Sequence, residues 1–195
     1  GSFGFPMFMI PTLDITLADV DIDADNSSLV LVSNSNMTLE RVTATTAMAI
    51  VGSYGGTLTV LDSTVESATD VGLWAEAGMR VNGSTVRAAD GYVDVVGAAR
   101  AILGGSTDLA GGFIEVVGST IEALDGNLAD GTVNGFMIFE TQFAPITLTD
   151  NVRIRSHEAT VIVTQQSFNG EGDITLAGNG DVRAGVFKSE DPVNF

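Results

Sequence analysis

A chain of 195 residues, 45% of them hydrophobic and with a mean hydropathy of +0.30, carries enough apolar material for one packed domain. Its 25 acidic against 8 basic residues give a net charge of −17, which argues against nucleic acid and anionic lipid as partners because both demand a basic surface. No run approaches the ~20 apolar residues of a membrane span, and the lack of cysteine leaves the redox compartment open.

Residues 1–12 form a flanking segment. Gly1-Ser2 reads as a cloning scar on a piece of a longer chain, and residues 3–10, with three Phe and two Met, as a cap or a strand across the open end of the repeat region. This start lacks the basic region and cleavage pattern of a signal peptide.

From residue 13 a two-part phrase recurs in register. It reads Ile15-Thr16-Leu17…Ile22-Asp23-Ala24, Met37-Thr38-Leu39…Ala44-Thr45-Thr46, Leu58-Thr59-Val60…Val65-Glu66-Ser67, Met79-Arg80-Val81…Val86-Arg87-Ala88 and Ile114-Glu115-Val116…Ile121-Glu122-Ala123. Two further copies carry one extra residue at the turn, Ile146-Thr147-Leu148…Ile154-Arg155-Ser156 and Ile174-Thr175-Leu176…Val182-Arg183-Ala184. A second strand-like piece comes after each turn, at residues 28–32, 48–51, 72–75, 92–96, 136–139 and 160–163. Starts 22, 21, 21, 35, 32 and 28 residues apart, alternating apolar and polar, define a solenoid in which each unit buries its apolar side by stacking on its neighbours. No segment has a capped 3.6-residue apolar period, so the prediction is all-β with essentially no helix.

The register separates inside from outside. Aliphatic side chains take the inward positions, and corners such as Asp62-Ser63, Gly83-Ser84 and Gly118-Ser119 supply residues that tolerate a sharp bend. Outward columns read Thr16, Thr38, Thr59, Thr147 and Thr175; Thr43, Thr64, Thr85 and Thr120; and Glu66, Arg87, Glu122, Arg155 and Arg183, where stacked neighbours mostly carry opposite charge. Residues 13–187 are thus predicted to form a coil of about seven rungs, with residues 188–195 as a tail. The long repeats hold two Gly-rich insertions, residues 98–112 and 124–134, and projecting loops on a rigid scaffold are where binding is expected.

Coils of 21 and 22 residues with variable loops resemble the right-handed parallel β-helices of the pectin-lyase-like superfamily. Within it, the phrases Val81-Asn82-Gly83-Ser84-Thr85-Val86 and Val116-Val117-Gly118-Ser119-Thr120-Ile121 and the absence of Cys are most similar to bacterial autotransporter passenger domains and surface adhesins. The resemblance implies a secreted, non-catalytic scaffold at the bacterial cell surface, binding a glycan, a matrix protein or a sister cell, or associating with itself. The superfamily also holds lyases and hydrolases, and trimeric phage tailspikes, which stand as alternatives. Of the polygalacturonase motifs only Arg153-Ile154-Arg155 finds an echo here.

Three sets of residues carry candidate chemistry. Asp21, Asp23 and Asp25 alternate on the first rung, with Asp19 nearby, and could offer oxygen ligands to Ca²⁺, the one cofactor the chain suggests; the simpler reading is an acidic strand that discourages edge association. Trp74 and Tyr92, with Phe136 and Phe139 further on, are candidates for stacking on a sugar or partner, provided that Trp74 rather than Leu73 and Ala75 faces outward. Asp125, Asn127, Asp130 and Asn134 are the candidate ligand-binding residues of the second insertion. His157 and the pair Asp90/Asp94 show no partner arrangement that makes an acid/base site. The Thr ranks raise an ice-binding face, but Arg80 and Glu115 interrupt one of them and a corner divides the two.

Overall fold

The computed structural model describes residues 7–10, 13–53, 55–89, 93–97, 112–124, 136–141, 145–156, 159–177 and 182–189. Every regular element among them is a β-strand, and every pairing is parallel between successive turns of one coil. The chain is a parallel β-solenoid with three faces. The first stacks Ile15–Ala18, Met37–Glu40, Thr57–Leu61, Gly78–Asn82, Ile114–Val117 and Ile146–Thr149. The chain therefore completes five turns between Ile15 and Ile146, and the pairing of Ile146 with Phe168 carries it round again.

The second face stacks the start of Asp21–Ser33 on that of Thr43–Ser53, then Thr64–Ser67, Thr85–Ala88, Thr120–Ala123, Val152–Ser156 and Ile174–Ala177. The third holds Met7–Ile10, the later parts of Asp21–Ser33 and Thr43–Ser53, then Val71–Ala75, Val93–Gly97 and Phe136–Thr141, and the first parts of Ala159–Glu171 and Val182–Ser189, whose later parts return to the first face. Met7–Ile10 runs parallel to residues 30–33 and extends this face rather than crossing the end of the coil.

Alternation sets the core. On the first face Leu39, Val60, Val81, Val116 and Leu148 form one inward column, all at 1% exposure or less. On the second face Ala44, Val65, Val86, Ile121 and Ile154 do the same. Removing each such side chain from water contributes about 1.5–3 kcal/mol for the larger aliphatics, and only stacking turns make that burial available.

A left-handed residue turns the chain from the first face to the second. Asp19, Arg41, Asp62, Gly83, Gly118, Asp150 and Gly172 occupy this corner with φ between 45° and 77°. Inside the corner lies a ladder of buried serines. Ser63 Oγ accepts from the Val42 N–H at 3.0 Å, Ser84 Oγ from the Ser63 N–H and Ser119 Oγ from the Ser84 N–H, both at 3.1 Å. Each hydroxyl donates to the carbonyl two residues back, on Leu61, Asn82 or Val117. The buried N–H groups of a bend that belongs to no strand ladder are thereby satisfied.

The last sequence copy is one face out of register. Ile174–Ala177 pairs with residues 152–155 on the second face, and Val182, Arg183 and Ala184 pair with Ile162, Val163 and Thr164 on the third. Thr175 thus leaves the first Thr column for the second face, Arg183 leaves the charged column, and Phe168 takes the place on the first face predicted for Ile174. The reason is physical: an alternating phrase fits any of three faces whose insides are alike, so the corner at Gly172, not the phrase, fixes the face.

Candidate functional site

The outward sides of the three faces differ in chemistry. On the first, Thr16, Thr38 and Thr59 lead to Arg80 and Glu115, which form an ion pair at 2.7 Å, with the Arg80 guanidinium 5.3 Å from the centre of the Phe113 ring. At the corner nearby, Arg41 bonds Asp19 at 2.6 and 2.8 Å and also contacts Glu40; its hydrogen bonds hold the Asp19 carboxyl below the ordinary carboxylate range. The second face carries Thr43, Thr64, Thr85 and Thr120 beside Thr45, Glu66, Arg87, Glu122 and Arg155. Arg87 reaches Glu66 at 3.0 Å and Glu122 at 2.9 Å, and Arg155 reaches Glu122 at 3.4 Å. Glu122 is the buried member, its side chain 6% exposed, so the ladder is a stitched surface rather than a set of free charges.

Among the described side chains the outward side of the third face is apolar. Its two outward columns run Val30, Ile50, Gly72 and Val32, Gly52, Trp74. By strand register alone the first column is paired on with Met7, Asp94, Ile138 and Val161, and the second with Met9, Val96, Glu140, Val163 and Arg183. Of these fifteen positions three, Asp94, Glu140 and Arg183, are charged types, whereas the other two faces alternate Thr with ion pairs. Ile50 is 38% exposed and Trp74 half-buried. Leu73 and Ala75 lie in the core at 0% exposure, which places Trp74 outward. Trp74 leans over Gly52, where an added Cβ would sit 3.5 Å from Trp74 Cε3; at Gly72 the nearest described atom to an added Cβ is Ile50 Cγ1 at 4.0 Å. Among the described residues the face therefore has a ridge at Trp74 and Ile50 and a low point at Gly72, which has no side chain of its own.

Sequence reasoning singled out Trp74 but missed the face around it, because residues 30–32 and 50–52 are apolar or small at every position and so give no alternation to read. Other predicted residues fall elsewhere. Asp21 and Asp23 are exposed on the outward side of the first turn of the second face, in register with Thr43 and Thr45; Asp25 follows on the same strand, outside the described side chains. Among the described residues no three His, Cys, Asp or Glu side chains come together as a metal site would require. Tyr92, Asp125, Asn127, Asp130, Asn134, Asp90 and His157 lie outside the described residues, as do the side chains of Asp94, Phe136 and Phe139.

An apolar cavity of about 390 Å³ opens at the first turn, lined by Ile15, Leu17, Val20, Ile22, Leu29 and Met37 among others. These residues belong to the core at the end of the coil or pack against it, and among the described residues no charged side chain lines the space. Among the described residues no helix is long and apolar enough to cross a membrane. No protein-family model, curated protein or solved structure matches the chain.

Proposed function

We propose that the chain is a non-catalytic scaffold segment of an extracellular bacterial surface protein, adhesin-like, which binds a glycan, a matrix protein or a sister cell through a flat sheet face and the loops at its corners. The observation that carries this reading is the sidedness of the coil. Two outward faces are finished with Thr ranks and ion pairs that suit water, while the third sets Val30, Val32, Ile50 and Trp74 in a row across successive turns. Apolar area gathered on one side of a rigid body is what a binding surface needs, since association there releases water without ordering the backbone. Coil handedness in this reading follows the right-handed preference of parallel crossovers.

The test is to immobilise the chain over a panel of acidic and neutral polysaccharides, matrix proteins and the chain itself, while assaying the solution for new reducing ends or unsaturated uronate. The scaffold reading expects saturable capture of at least one of these with no product. Release of either product would replace it with a carbohydrate-active lyase or hydrolase.

A further inference from the structure

We propose that the third face pairs with the third face of a second copy of this chain, an inference that rests on the scaffold reading and names the partner at that surface. The two outward columns are unequal in a self-complementary way. In the row of Ile50 and Gly52 the bulky residue stands in the first column, and in the row of Gly72 and Trp74 it stands in the second. A two-fold axis parallel to the coil and midway between two facing sheets sets each row against the same row of the other copy with its columns exchanged. Val30 then meets the second copy's Val32, Ile50 its Gly52 and Trp74 its Gly72. Bulk faces its absence in both unequal rows.

Contacts within the chain show which of these matters most. The Gly52 position is already covered by the chain's own Trp74, so the second copy's Ile50 packs on the edge of that indole. At Gly72 the nearest described atom to an added Cβ is Ile50 Cγ1, and there the second copy's indole finds backbone below and an aliphatic wall at its side. The same exchange of columns sets the register positions of Asp94 and Glu140 against those of Val96 and Ile138, so no two carboxylate positions are opposed. Seven stacked strands at ~4.8 Å and five residues at ~3.3 Å offer roughly 500 Å² per copy, or roughly 1,000 Å² in total, the lower bound of a specific interface. A charge of −17 on each copy opposes approach, so pairing strengthens as salt screens it.

Sedimentation velocity of the whole chain across a concentration series, at low and high salt, tests the proposal. The expected mass moves from 20.2 kDa toward twice that value with concentration, and at lower concentration in high salt. Gly72→Arg sets bulk and charge where the second copy's indole would pack, and Trp74→Ala removes the ridge; each should weaken self-affinity by at least about tenfold while the circular dichroism spectrum stays unchanged. A single 20.2 kDa species at every concentration and salt, or a dimer that survives both substitutions, overturns the proposal. If such a monomer still captures a glycan or matrix protein, the self-pairing alone has failed; if it captures nothing, the scaffold reading fails with it.

Discussion

Ser84 makes the two hydrogen bonds that keep one corner dry: its Oγ accepts from the Ser63 N–H at 3.1 Å and donates to the Asn82 carbonyl at 2.8 Å. Alanine there leaves a buried N–H without a partner, so Ser84→Ala should lower stability by about 1–3 kcal/mol, whereas Thr64→Ala, on the outward side one turn earlier, should change it by less than about 0.5 kcal/mol. Urea denaturation of the two variants checks the contrast, and equal losses would mean that the ladder does not hold the corner. The sequence shows the three serines, Ser63, Ser84 and Ser119, at one register position after a bend-forming residue. What it hides is the direction of their side chains, because a serine at a turn is equally at home in water.

At the scale of the strand, one element gives two opposite outcomes. Leu73 is fully buried while Trp74, its neighbour in Val71–Ala75, faces out. Leu73→Ala should cost about 2–5 kcal/mol through the cavity it leaves; Trp74→Ala should cost clearly less in unfolding and act instead on association. Thermal unfolding together with sedimentation separates the two, and a larger stability loss from Trp74→Ala would place the indole in the core. Across strands, Glu122 is shared by Arg87 and Arg155, which are 38% and 43% exposed. Glu122→Ala leaves two guanidinium groups facing each other, but water reaches both, so the expected loss is about 1–3 kcal/mol rather than that of a sealed ion pair. Equilibrium unfolding of Glu122→Ala reads this directly, and an unchanged midpoint would mean that the column adds no stability.

Much of the element scale was legible. Inward aliphatics, the Thr columns and the Glu66–Arg87–Glu122–Arg155 column follow from alternation and spacing alone, since only one parity buries them. Two things were not. The last copy, Ile174 to Ala184, was assigned one face too early because Phe168 and Gly170, which continue the first face, do not look like Ile-Thr-Leu. The third face was read as strand but not as surface, because Val30-Leu31-Val32 is apolar on both parities and only the closed coil tells which side meets water.

Among the described residues the molecule is a coil with two faces that carry Thr ranks and ion pairs and a third that carries Val30, Val32, Ile50 and Trp74. Lack of native cysteine allows one thiol at a time to report on each face. The most direct measurement is intermolecular cross-linking of two single-thiol chains, Val30→Cys on the third face and Thr59→Cys on the first, by a short bis-maleimide at equal concentration and high salt. Pairing through the third face predicts a covalent dimer from Val30→Cys, abolished by adding Gly72→Arg, and little from Thr59→Cys. Equal yields from both positions, or a higher yield from Thr59→Cys, would contradict it.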